Sequence, residues 1–179
     1  MITTKNSELN QDIVNLQINI LLDFTKSLAY YRTIKQDRQR IQRNNDFWVY
    51  SMNTYYYKAI TDWCIVFGAD NNESHWKKIS DYDMSTIELE IRSAAGLTGD
   101  DWGKYWKEIV DFRNNYAAHR SVNPNDDKVP SLDKAFEIAK SYFELLRKWL
   151  SIPNHDLNSL DVLFPNFEIE ILPVLQRDF

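Results

Sequence analysis

Turn-forming residues are scarce in this chain: four glycines and five prolines stand among 179 residues, where average usage of roughly 12% would supply about 21. Sheet-rich folds need turns at short intervals, so the shortage predicts helices. Six Trp, ten Tyr and nine Phe exclude a disordered chain, because rings in that number need broad buried faces. With 44% hydrophobic residues the chain can build a core without staples, and we expect one domain over 1–179.

Charge and cysteine narrow the setting. The single cysteine, Cys64, lies in an apolar run, which excludes an intramolecular disulfide and a thiolate metal cluster and suits a reducing compartment. The first residues, MITTKNSELNQD, lack the basic start and apolar stretch of an export signal. No apolar run nears the ~18 residues of a membrane span, so we expect a cytoplasmic protein with no membrane partner. Asn72-Glu73-Ser74 matches a glycosylation sequon, a chance match without secretion. A net charge of −5 argues against a general nucleic-acid coat protein and leaves room for a local basic cleft.

Apolar spacing places the elements. Ile13, Leu16, Ile20, Leu21, Phe24 and Leu28 recur at threes and fours, predicting a helix over about 7–32. A second helix, about 46–67, is aromatic almost all round (Phe47, Trp48, Tyr50, Tyr55, Tyr56, Tyr57, Trp63, Phe67) and is followed by Gly68 as a cap; such a helix belongs in the middle of a bundle. Residues 69–84 read as loop with a turn near His75-Trp76-Lys77-Lys78. Ser85-Thr86-Ile87-Glu88 reads as a capping box for a short helix to about 95, stopped by Gly96. A fourth helix starts at Thr98 or Asp100 and reaches about Ser121; a fifth, capped by Ser131, ends before Pro153. The expected architecture is an all-α bundle of about five helices with an up-and-down four-helix core at about 10–150. Residues 151–179 form an extension packed on it, where Phe167, Ile169 and Ile171 alternate with Glu168 and Glu170 as in a short extended segment.

Several motifs fail. Gly96 to Lys104 has the look of a phosphate loop, but Tyr105 replaces the magnesium-binding hydroxyl and no strand precedes it. Asp81 and Asp83 lack a third ligand, no Glu-x-x-His occurs, and the three histidines are scattered, so no metal site and no cofactor is called for. Cys64 reads as a small buried hydrophobe.

One segment concentrates chemistry: Asp111-Phe112-Arg113-Asn114-Asn115-Tyr116-Ala117-Ala118-His119-Arg120. At ~100° per residue Phe112 and His119 share one stripe and Arg113 and Arg120 the next. A histidine near its reference pKa of ~6.5 can move protons at neutral pH, and an arginine can hold two phosphoryl oxygens without a metal. His119 also falls on the stripe of Tyr105, Ile109, Phe112 and Tyr116, so a buried structural histidine competes with catalysis, as an ion pair with Asp111 or Glu108 does for Arg113.

Arg113-Asn114 followed by His119 resembles the R-x(4–6)-H signature, with a polar residue after the arginine, of the HEPN superfamily of small all-α domains. Trp63 to Gly68 and His75 to Lys78 are loosely similar to segments of its abortive-infection members. The resemblance implies a metal-independent endoribonuclease, a toxin or phage-defence effector, working as a homodimer whose two motifs meet across the two-fold axis. An antitoxin or a phage-derived trigger would be a further partner. It implies Arg113 for phosphate and transition-state binding, His119 for proton transfer and Asn114 for orienting either. Tyr116 and Arg120 would assist, and the basic tract Arg32, Lys35, Arg38, Arg40 and Arg43 would line the approach of RNA. A non-catalytic member of the same fold, binding a nucleotide or a protein, is the alternative.

Overall fold

The computed structural model describes residues 10–37, 45–79, 84–118, 129–151 and 157–176. Six α-helices stand among them: α1 (Gln11–Gln36), α2 (Asn45–Phe67), α3 (Ser85–Ala94), α4 (Gly99–Phe112), α5 (Asp133–Trp149) and α6 (Leu160–Gln176). A single 3-10 turn covers Trp76–Lys78, and Arg113–Ala118 forms a π-helical turn continuing α4. The architecture is an all-α bundle.

Side-chain contacts give the directions. Lys58 reaches Asp23 while Tyr30 meets Tyr55 and Ile34 meets Trp48, so α2 descends along α1. Phe112 meets Tyr56 and Trp106 reaches the end of α2 at Phe67, so α4 ascends. Gln17 meets Tyr142 and Phe24 meets Phe136, so α5 descends. These four helices form an up-and-down core, and α3 and α6 pack on its outside, against α5 and α1. Helix α2 takes the centre, with Ala59, Ile60, Trp63 and Val66 fully buried.

Glycine ends two helices for two reasons. A Cβ on Gly68 would stand 2.3 Å from the carbonyl oxygen of Cys64, so only glycine closes α2 there. Gly96 has φ +64°, the left-handed region glycine enters without strain. Thr98 caps α4 by accepting from the Asp101 N–H. The capping box at Ser85 does not form: Ser85 is already helical, the N-cap is Met84 without a side-chain capping bond, and Glu88 pairs with Arg92 at 3.3 Å.

Two corrections concern length and type. α1 runs on to Gln36 because Ile34, 1% exposed, packs on Trp48, Ile171 and Leu175. Phe167–Ile171 is not extended. It lies inside α6, whose inward side chains Leu160, Phe164, Ile171 and Leu175 recur at helical spacing over a longer window than the local alternation. Pro165 and Pro173 sit on the exposed side of α6, where the carbonyls they leave unbonded can meet water. Val162, Ile169, Leu172 and Val174 are exposed on this helix.

A buried amide ties the loop after α2 to the core. Gln17, fully buried, donates from Nε2 to the carbonyls of Ser74 and His75 at 3.1 Å each, and its Oε1 accepts from the Tyr142 hydroxyl at 2.7 Å. The Asn10 N–H closes the loop's far end on Ile79 O. Trp76, 2% exposed, is thereby laid on Tyr142 and closes the loop onto the core. His75 is 1% exposed, and its Nδ1 accepts from the Lys77 N–H at 3.3 Å, which requires that nitrogen to be unprotonated. Burial lowers its pKa to about 4; Asp70, 3.2 Å from Nε2, pulls the other way but is exposed and screened.

Replacing Gln17 with Leu removes three buried hydrogen bonds; Tyr142 Oη keeps Trp76 O and His75 O keeps the Lys78 N–H, while Ser74 O loses the Gln17 amide, and we expect a loss of about 2 kcal/mol in urea unfolding; an unchanged midpoint would count against this clasp. His75 stays neutral in the folded chain down to about pH 4, whereas the unfolded chain takes up the proton below ~6.5. Stability conferred by neutral His75 is complete above pH 6.5 and falls by about 3 kcal/mol as the pH drops to 4. Unfolding curves of wild type and His75→Gln across that window should diverge by this amount.

Candidate functional site

The motif-bearing segment begins where α4 changes pitch. Trp106 donates its indole N–H to Phe67 O at 2.7 Å and so satisfies a carbonyl at the end of α2. Tyr105, Ile109, Val110 and Phe112 are buried, which locks α4 along α2. From Arg113 the ladder is π-helical, and the turn widens by about one residue. Side chains four apart then nearly eclipse: Tyr116 stacks on Phe112 with centroids 4.7 Å apart and planes 26° apart. The continuous α-helix expected to Ser121 therefore ends at Phe112, and stripes drawn at 100° per residue do not extend past it.

Arg113 is half-buried and lies close enough to Cys64 of α2 for its positive charge to favour the thiolate. Its Nε is buried without a hydrogen-bond partner, and among the described residues no carboxylate lies within ion-pair distance. The expected competitor Asp111 pairs with Lys107 instead. Cys64 is 2% exposed; burial pushes its thiol up to about 12, against the pull of Arg113, so it is a neutral, small core residue. Asn114 is exposed. Tyr116 is half-buried on Phe112. His119 and Arg120 lie outside the described residues, as do Arg38, Arg40, Arg43, Asp81 and Asp83.

Lys35 lies in a different place. Together with Tyr31 and Arg32 of α1, Tyr56 of α2, and Tyr105 and Glu108 of α4, it lines a cleft of about 820 Å³ closed by residues 129–134 at the start of α5. Tyr56 donates to Pro130 O, and the Tyr105 hydroxyl donates to Ser131 O at 2.8 Å while accepting from the Ala135 N–H at 2.9 Å. Burial raises both phenols, so they remain neutral donors that pin the start of α5. Ser131 accepts from the Asp133 N–H at 3.3 Å, although the N-cap position itself falls to Leu132. Arg32 is engaged by Asp133 at 2.6 Å and lies over the Phe164 ring.

Arg113 and Asn114 are not among the residues lining this cleft. Arg32 and Lys35 of the basic tract thus line a wall of which Arg113 and Asn114 are not part. Tyr31, Tyr56, Tyr105, Glu108 and Lys134 were not legible as cleft residues, because their positions lie on four separate segments and carry no shared pattern. Among the described residues no three His, Cys, Asp or Glu side chains gather in a metal-binding group, and no helix is long and apolar enough to cross a membrane. Compared with known proteins, the chain matches no family model, no curated protein and no solved structure.

The buried, neutral Cys64 should resist a thiol reagent at pH 8 in the native protein and react within minutes in denaturant. Equal labelling rates in both states would contradict the burial that seats Arg113.

Proposed function

We propose that this chain is a metal-independent endoribonuclease that cleaves RNA by transesterification, with Arg113 gripping the scissile phosphate. The observation that carries the reading is the state of Arg113. It is a half-buried guanidinium with no carboxylate partner among the described residues and a buried, unbonded Nε. A buried charge without a counter-ion is costly, and a bidentate phosphodiester supplies the missing anion. The exposed Asn114 beside it is free to touch the same substrate.

In this reading the RNA's own 2′-hydroxyl attacks the adjacent phosphorus and the 5′-oxygen leaves. His119 of one copy accepts the hydroxyl proton, His119 of a second copy protonates the leaving oxygen, and Arg113 stabilises the extra negative charge of the phosphorane. The products are a cyclic phosphate and a 5′-hydroxyl end. Two copies, sharing a groove at the motif, supply both acid and base. The setting that fits such an activity is a cytoplasmic toxin or phage-defence effector held in check by an antitoxin or released by a trigger. One observation favours a second reading, a binding module without cleavage: Lys35 and its cleft stand apart from Arg113.

Incubation of the purified protein with mixed single-stranded RNA in chelator separates the two. Cleavage by wild type is expected to fall by about 100-fold or more in Arg113→Ala and in His119→Ala, with Arg113→Lys intermediate because it keeps charge but loses the fork. Fragments should carry cyclic phosphates. Identical background from all proteins, each shown folded by its thermal melt, would sink the nuclease and leave the binding module.

A further inference from the structure

We propose that the outward face of α6 is a docking surface for a positively charged amphipathic helix of a partner protein. The inference rests on α6 and its packing alone, and it holds whether or not the chain cleaves RNA.

Position and composition conflict on this helix. α6 lies on the outside of the bundle, against α1 and α5, where a helix ordinarily needs one apolar side. It has two. Four of the nine exposed large apolar side chains among the described residues belong to it: Val162, Ile169, Leu172 and Val174. At ~100° per residue Val162, Ile169 and Pro173 share one line, opposite the buried Leu160, Phe164, Ile171 and Leu175, with Pro165 and Leu172 along its flank. Steps of three and four from Val162 through Pro165 and Ile169 to Leu172 are the spacing that seats another helix. A helix offers no ladder of free backbone groups, so an extended strand finds nothing to join.

Charge selects the occupant. α6 carries Asp161, Glu168 and Glu170 and is the only one of the six helices described that has no lysine or arginine. Lys140 of α5 pairs with Asp161 at 3.0 Å and Lys26 of α1 with Glu170 at 2.9 Å, so the nearest cations are already engaged. Pro165 and Pro173 each remove the N–H that would meet the carbonyl four residues earlier, at Asp161 and Ile169. Carboxylates and bare carbonyls around an apolar stripe accept from lysine or arginine and offer nothing to an anion. A second copy of the chain fits poorly, because whichever way two α6 helices ran, acids would face acids. The stripe is about 26 Å long and ~10 Å across. That is short of the roughly 800 Å² a stable interface buries on each partner, and it matches one helix laid along it. An anionic membrane is repelled by the same carboxylates.

The probe is a labelled peptide of about 18 residues built from leucine and lysine, with its leucines recurring at threes and fours. A second peptide has glutamate in place of every lysine, and a third is the first in scrambled order. In fluorescence anisotropy with the full chain, the basic peptide should bind saturably at about 10–100 µM, and about tenfold or more tighter than either of the others. A Val162→Ser, Ile169→Ser double variant should weaken it about tenfold, and Glu168→Lys about threefold. Leu16→Ser, at an exposed apolar position of α1 beside Glu73 and Lys78, should bind as wild type does. Thermal melts confirm that each variant is folded. The proposal is overturned if the basic peptide does not bind at about 1 mM, if the acidic or scrambled peptide binds as tightly, or if the double variant binds as wild type does. Sedimentation and vesicle flotation test the other occupants. A dimer that Ile169→Ser dissociates, or binding to phosphatidylcholine–phosphatidylserine vesicles that Ile169→Ser abolishes, would assign the face elsewhere and overturn the proposal too. No arm of this experiment involves Arg113 or His119, so its failure leaves the cleavage reading standing, and the converse holds.

Discussion

One fully buried indole organises the bundle. Trp63, near the C-terminal end of α2, meets Phe67 on its own helix and Trp102 and Tyr105 on α4. Its Nε1 is buried without a hydrogen-bond partner, which costs about 1–3 kcal/mol. Removing some 200 Å² of ring from water returns roughly 5 kcal/mol, so packing outweighs the stranded donor. The alignment of α4 against α2 follows from this contact, and with it the places of Tyr105, Phe112 and Arg113. Because α1 lies on the other side of α2, the central helix couples the two walls that border the cleft.

The electrostatics of the bundle divide along the same line. Several polar groups inside the core are hydrogen-bonded, as in Gln17 with Ser74, His75 and Tyr142, or kept neutral by burial, as in His75 and Cys64. Among the described residues Arg113 at the π turn, and Lys35, Lys134 and Glu108 around the cleft, meet no opposite charge within ion-pair distance. An unsatisfied charge that a fold retains is either solvated or waiting for a counter-charge. Arg113 is half-buried and the cleft charges border an aromatic hollow, and both conditions favour the second outcome.

Much of the fold was legible. The scarcity of turn residues, the aromatic α2 and the stops at Gly68 and Gly96 are local signals, and the helices stand where those signals put them. The misreadings have local causes as well. Over five residues Phe167–Ile171 alternates like a strand, and only the longer spacing from Leu160 to Leu175 shows the helix. Ser85 and Glu88 have capping-box identity, but Glu88 has a stronger partner in Arg92. The site was legible as a list of residues and not as a place. Arg113 stands out in the sequence as a cation, while its place near Cys64 and its absence from the cleft that Lys35 lines came from the packing of α4.

By itself the amino-acid order determined that this chain is helical, that α2 is its centre, and that a guanidinium and an imidazole stand six positions apart. Those are properties of neighbours along the chain, set by spacing, caps and ring content. Tertiary structure alone decided that the ladder widens at Arg113, that no described carboxylate reaches it, and that tyrosines of α1, α2 and α4 meet lysines of α1 and α5 around one hollow. Each of these depends on side chains far apart in sequence competing for the same space, and such competition is settled only when the helices pack.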